Sequence, residues 1–200
     1  MTREDRQRWD RRYQEPHYQG EREPFPLIVQ YAQPSACGGA GENPLALDLA
    51  CGLGHNALWL ARQGYRVVAV DGSLTALRRG SEAACQHGLS SAVLFVLADL
   101  DHFRPPADCF SLICVIRFLS REMFPAIRAA LRPGGLLIYA SLNWRCAENR
   151  PDIAPKYLLA PGELLEAFSD YEIILYDEEG ELSSLVACKP GSAGRGGWAV

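Results

Sequence analysis

The sequence predicts an α/β fold: a single domain on a mostly parallel, seven-stranded, doubly wound sheet with a C-terminal antiparallel hairpin. Three observations predict it. Short apolar runs alternate with helical patterns from residue 45 onward. The first run breaks at a Gly-x-Gly turn that opens a helix, and the last two runs are joined by a link short enough for a hairpin.

Residues 1–44 read as an N-terminal cap or lid segment with its loop. Residues 1–20 are charged and carry Trp9, Tyr13 and Tyr18, which either cap the domain or close over a ligand. Phe25 to Ala32 reads as a short helix, and Pro34 to Pro44 as a surface loop. The domain proper spans 45–190. Leu45 to Ala50 is the first strand, and the helix after it runs to a C-cap at Gly64. Arg66 to Val70 is the second strand, ending at Asp71-Gly72-Ser73, where Ser73 can N-cap the next helix. Leu74, Leu77, Ala84 and Cys85 share a face of that helix, Gly80 weakens it and Gly88 ends it. Ala92 to Ala98 is strand three, ending at Asp99, and Cys109 to Ile116 is strand four, followed by Arg117. Ser120 to Leu131 is helical, with Pro125 tolerated near its start. Pro133-Gly134-Gly135 stops that helix, and Leu136 to Ser141 is strand five. Asn143 to Pro155 is irregular and holds Trp144 and Arg145. Pro161 to Phe168 is a short helix, Tyr171 to Tyr176 and Leu182 to Cys188 form the hairpin, and 191–200 is a flexible tail.

The bulk numbers exclude several function classes. Two hundred residues suit one domain with a full core, and 48% hydrophobic with 22% charged residues is ordinary for a soluble globular protein. A net charge of −4 offers no basic field for nucleic acid or an anionic membrane. Seven cysteines without a C-x-x-C pair read as reduced thiols of a cytoplasmic protein, with no metal site. No apolar run approaches membrane-spanning length, and Thr2 to Arg12 lacks a signal-peptide core.

The chemistry concentrates at Asp48-Leu49-Ala50-Cys51-Gly52-Leu53-Gly54. A strand, a glycine turn and a helix start aim backbone N–H groups and a positive helix end at a ligand. Gly52 and Gly54 leave no Cβ in its way. Gly52 to Ala57 also fits the dinucleotide pattern G-x-G-x-x-A, with Asp71 17 residues beyond Gly54. Asp48 separates two cofactor classes, because a charge in an apolar strand is costly unless paired. Beside the pyrophosphate of NAD it is repelled. Beside the ammonium and sulfonium of S-adenosylmethionine it is attracted. An NAD(P)-dependent oxidoreductase and a non-catalytic S-adenosylmethionine-binding protein stand as the alternatives.

These residues carry a resemblance to the class I S-adenosylmethionine-dependent methyltransferases, covering about residues 45–190. Asp48 to Gly54 looks like the family's first motif, Asp71 like the acidic end of its second strand, and Asp99-Leu100 like the end of its third. Leu131-Arg132-Pro133-Gly134-Gly135 resembles its turn into strand five, and the terminal hairpin is similar too. Arg117 to Glu122, Pro161 to Leu165 and Tyr171 to Glu178 resemble the tellurite-resistance-type branch more narrowly. The hairpin departs from that branch: a longer, basic, His-containing segment is replaced here by Glu178-Glu179-Gly180-Glu181.

The resemblance implies S-adenosylmethionine as cofactor, held by Asp48, Gly52, Gly54, Asp71, Gly72, Asp99 and Leu100, and a Rossmann-like methyltransferase fold. Asp71 suits the two ribose hydroxyls and Asp99 the adenine amine. Either also reads as a turn or capping Asp. Arg117, Trp144, Arg145 and Tyr13 are candidates for the methyl acceptor. Arg117 has three candidate partners: an anionic acceptor, the cofactor carboxylate or Glu122. No Asn/Asp-Pro-Pro-Tyr segment follows strand four, which argues against an amino-group DNA methyltransferase. In-line displacement from a sulfonium needs positioning and dehydration more than a catalytic triad. The expectation is therefore a methyltransferase acting on a small molecule, as a monomer or homodimer.

Overall fold

A computed structural model describes residues 3–15, 17–18, 23–33 and 44–191. Among them are seven strands: β1 (Leu45–Leu49), β2 (Arg66–Asp71), β3 (Val93–Leu97), β4 (Phe110–Ile116), β5 (Leu131–Leu142), β6 (Glu172–Asp177) and β7 (Leu182–Cys188). They form one sheet in the order β3-β2-β1-β4-β5-β7-β6. β1 to β5 pair in parallel, and β7 alone runs against its neighbours β5 and β6. The chain steps outward from β1 to β3, then returns to β4 on the other side of β1. That reversal opens a crevice at the carboxyl ends of β1 and β4.

Alternate residues of the central strands feed two cores. On one face Ala46, Val67, Ala69, Leu112 and Ile138 pack with Ile28 of α2 (Pro26–Tyr31), Leu58 and Leu60 of α3 (His55–Arg62) and Leu77 of α4 (Leu74–Gln86). On the other, Leu47, Leu49, Val70, Ile113 and Tyr139 pack with Ile127 of α5 (Phe124–Ala130), Leu164 of α7 (Glu163–Ala167) and Phe168. β4 buries six residues in succession, as a strand covered on both faces must.

Several boundaries differ from the sequence reading, each for a local reason. Ala50 leaves β1 because it adopts a left-handed φ of 59°. β5 begins at Leu131 rather than Leu136: Phe110 pairs with Leu131 before the register shifts to Leu112 and Leu136. Pro133-Gly134-Gly135 is therefore an irregularity inside β5, with Gly134 at φ 75°, and not a separator between helix and strand. The helix before it shortens to α5, entered through a 3-10 turn at Arg121–Met123. The irregular stretch after β5 contains one turn of helix, α6 (Cys146–Asn149). No helix among the described residues is long and apolar enough to cross a membrane. The expected loop at 34–43 and all but the first residue of the expected flexible tail lie outside the described residues.

Candidate functional site

The turn between β1 and α3 is built on three left-handed residues, Ala50 (φ 59°), Gly52 (54°) and Gly54 (78°). Such a conformation is strained for alanine and persists only when its surroundings enforce it. Here the Cys51 amide donates to the Val70 carbonyl (3.0 Å) and the Gly54 amide to the Cys51 carbonyl (2.9 Å). The Phe95 ring wedges behind the turn. A Cβ on Gly54 would stand 2.8 Å from that ring, and one on Gly80 would stand 2.7 Å from it and 2.9 Å from the Leu53 carbonyl oxygen. Gly80, which the sequence marks only as a weak point in a helix, is where α4 approaches the turn.

Asp48 and Asp71 support the turn from below and from the side. Asp48 is buried, with Oδ2 accepting from the Ala57 amide (3.1 Å) and Oδ1 accepting from the Cys114 thiol (3.4 Å). Burial pushes its pKa up to about 7, against those hydrogen bonds. It does not line the cleft; it anchors the first turn of α3 from behind. Asp71 does line the cleft, and its two oxygens accept from the amides of Gly52 (2.8 Å) and Ser73 (2.8 Å). Burial raises its pKa, and the amide hydrogen bonds work the other way.

The cleft holds about 300 Å³ above the carboxyl ends of the strands. Gly52, Asp71, Gly72 and Leu100 form one part of its wall, and Ile116, Arg117, Phe118 and Leu142 another. Arg117 has a left-handed φ of 56°, and its amide donates to the Ala140 carbonyl at 2.6 Å. Arg150 also lines the cleft. Its Nε and Nη2 donate to the Cys146 sulfur (3.2 and 3.1 Å), and Glu181 lies 4.0 Å from Nη2. Sequence reasoning missed it, because nothing in an irregular stretch says which arginine returns to the crevice.

Gly54, Asp99, Trp144 and Arg145 stand outside the lining. Arg145 stacks on the Trp144 ring at 4.3 Å and donates from Nε to the Glu178 carbonyl at 3.1 Å. The acidic hairpin turn thus faces Arg145 through Glu178 and Arg150 through Glu181. Asp99 accepts from the Asp101 amide (3.2 Å) and pairs with Arg6 (2.9 Å), combining a turn role with a helix contact.

Helix α1 (Arg3–Gln14) supplies the remaining wall through Arg6, Trp9, Arg12 and Tyr13. The Tyr13 hydroxyl lies over Gly52, where a Cβ would come within 2.7 Å of it. Burial and then the Asp71 carboxylate hold that phenol far above its ordinary range, so it stays protonated. Tyr18 packs edge-on against Tyr13 at 5.4 Å.

Residues 46–135 match the family model for a methyltransferase domain. The chain is 29% identical over 143 residues to TehB of Haemophilus influenzae, a probable S-adenosyl-L-methionine-dependent methyltransferase, covering 68% of this chain and 49% of that protein. It is 45% identical over 53 residues to the 23S rRNA (uracil(1939)-C(5))-methyltransferase RlmD of Dechloromonas aromatica, covering 26% of this chain and 12% of that protein. The chain spans about half the length or less of the curated relatives it matches. In fold it is similar to solved TehB of H. influenzae (TM-score 0.66, 18% identity, 90% of this chain and 66% of that one). It is equally similar to geranyl diphosphate C-methyltransferase of Streptomyces coelicolor (TM-score 0.67, 12% identity, 92% and 97%). The family match makes residues 46–135 a methyltransferase domain, and its glycine turn and strand order are like those of the class I S-adenosylmethionine-dependent methyltransferases. Among its relatives the chain is similar to TehB in sequence and in fold.

Proposed function

We propose that the protein transfers a methyl group from S-adenosylmethionine to a small-molecule acceptor by in-line displacement. The observation that carries this reading is Asp71 on the cleft wall, tied to the glycine turn by the Gly52 amide. The donor set fits the cofactor. The Asp71 carboxylate accepts from the backbone on both oxygens and, with about four lone-pair directions, keeps acceptor capacity for a ribose hydroxyl. Gly52 and Gly72 let a ligand approach the backbone from the cleft, Leu100 is apolar surface for an adenine, and Gly54 keeps the turn's shape against Phe95. Asp99, just outside the lining and paired with Arg6, would meet the adenine amine only from the cleft's edge. Asp48 acts from behind, by fixing the amides at the start of α3. Tyr13, as a protonated phenol, offers a donor to the cofactor's methionine end or to the acceptor. Helix α1 serves as a lid over the glycine turn through Tyr13.

When bound, S-adenosylmethionine supplies an electrophilic methyl on a sulfonium. The chain's residues position the acceptor and exclude water. Arg117 and Arg150 give the acceptor end two cations beside apolar Ile116, Phe118 and Leu142, which suits a small anionic or soft acceptor. A thiolate or soft oxyanion is already nucleophilic near neutral pH and needs no positioned base. Arg150 takes the role that the sequence assigned to Arg145, and Trp144 serves packing. The acidic net charge of −4 favours small molecules over nucleic acid, with action in the cytoplasm as a monomer or homodimer.

Thermal-shift comparison of S-adenosylhomocysteine with NADH and NADPH tests the cofactor half. Stabilisation by the dinucleotides alone would overturn it. A screen of thiols, oxyanions and phenols with methyl-labelled cofactor tests the acceptor half; transfer only to cationic amines would overturn that.

A further inference from the structure

We propose that Asp10 is a positioning residue for the cofactor, acting through Ser73 on Asp71; this rests on the methyltransferase reading above. Asp10 is on α1, 61 positions before Asp71 in the chain, yet one residue, Ser73, joins them through its hydroxyl and its amide. Ser73 Oγ donates to Asp10 Oδ1 at 2.6 Å, and the Ser73 amide donates to Asp71 Oδ1 at 2.8 Å. Asp71 Oδ2 then takes the Gly52 amide. One hydrogen-bonded path thus runs from α1 through the end of β2 to the glycine turn.

The chemistry of serine makes this path directional. A hydroxyl has a single proton, and here it goes to Asp10. Its lone pair is thereby aimed at the Ala76 amide (3.2 Å), which caps α4 and holds Ser73 where its own amide meets Asp71. Asp10 Oδ1 also accepts from the Thr75 amide (3.1 Å), so a carboxylate from another helix sits at the positive end of α4. Burial works against its charge, but the hydrogen bonds from Ser73, Thr75 and Gln14 outweigh burial and hold its pKa below the ordinary value. Removing Asp10 frees the hydroxyl and leaves the Thr75 amide without this acceptor.

The same helix reaches the other two strand ends expected to hold the cofactor. Arg6 pairs with Asp99 after β3, and Tyr13 covers Gly52 after β1. Of these contacts, the hydrogen-bonded path through Asp10 and Ser73 ends on Asp71 itself, so its loss disturbs a cofactor-facing carboxylate even while α1 stays attached, and a ligand that needs the ordered arrangement binds more weakly. A second anchor of α1 bypasses the path: Asp5 accepts from the Tyr157 hydroxyl at 2.7 Å, away from Asp71. It separates a relay from mere attachment of the helix.

The test is calorimetric affinity for S-adenosylhomocysteine, with hydrogen exchange over residues 3–14, on the full chain. Asp10→Ala should weaken binding roughly tenfold. Asp10→Asn should restore most of it, because an amide oxygen still accepts from Ser73 and Thr75. In an Asp71→Ala background, Asp10→Ala should cost less than about threefold more, since the path is already cut. Tyr157→Phe should loosen α1 by exchange while changing affinity less than about threefold. Three results would overturn the relay: wild-type affinity in Asp10→Ala, an undiminished loss in the Asp71→Ala background, or an equal loss in Tyr157→Phe. A wild-type protein that does not bind S-adenosylhomocysteine overturns the methyltransferase reading as well. Binding by the wild type with any of the three results overturns only the relay.

Discussion

The Gly52 amide donates to Oδ2 of Asp71 across 2.8 Å, so the turn after β1 and the end of β2 are held by one hydrogen bond. In the proposed function this carboxylate has two tasks at once: shaping the turn and accepting from the cofactor. Asp71→Ala should therefore weaken S-adenosylhomocysteine binding by about thirtyfold, or ~2 kcal/mol, in a folded protein. Calorimetry beside circular dichroism checks it, and unchanged affinity in a folded variant would remove Asp71 from the site.

Asp48 gives the protein a pH dependence of unusual sign for a carboxyl. Its pKa of about 7 in the folded protein lies above the unfolded value of about 4. Between those values the native state keeps a proton that the unfolded chain has released. The stabilising contribution is complete below the unfolded value and is lost as pH rises toward 7, with a slope of up to ~1.4 kcal/mol per pH unit from this group. Asp48→Asn should flatten the wild-type curve across that window, as read from urea unfolding at several pH values. A variant curve parallel to the wild type would show that Asp48 is ionised throughout.

The arginines make a prediction in which one is silent. Arg117 and Arg150 line the cleft, whereas Arg145 stacks on Trp144 outside it. Arg117→Gln and Arg150→Gln should each raise the acceptor's KM by roughly tenfold and the cofactor's far less, and Arg145→Gln should leave both near wild type. Steady-state kinetics on the acceptor found by the screen decides it. Wild-type kinetics in both cleft variants would end the charge-steering account.

Gly80→Ala sets two effects against each other. Alanine favours a helix interior over glycine by about 1 kcal/mol. The new Cβ, however, would stand 2.7 Å from the Phe95 ring and 2.9 Å from the backbone oxygen of Leu53. Backbone in the turn cannot yield cheaply, so overpacking should win and destabilise by about 1–3 kcal/mol. Thermal unfolding checks the sign, and a raised midpoint would mean that Phe95 and the turn give way.

What the sequence by itself determined was local in origin. Short, mostly apolar runs bounded by turn residues suit strands buried on both faces, which is why β1, β2 and β4 were readable to within a residue. Left-handed turn positions favour glycine, so Gly52 and Gly54 marked the turn after β1, and Asp71 marked the end of β2. Only the tertiary structure decided which way the supporting side chains point. Asp48 turns beneath the turn to the Ala57 amide, Arg150 returns to the cleft while Arg145 stays outside, and Asp10 meets Ser73 from 63 residues away. Strand periodicity is a property of neighbouring residues, whereas each of these contacts depends on how loops and an N-terminal helix fold back over the sheet. That closure is set by long-range packing, which no local pattern of residues encodes.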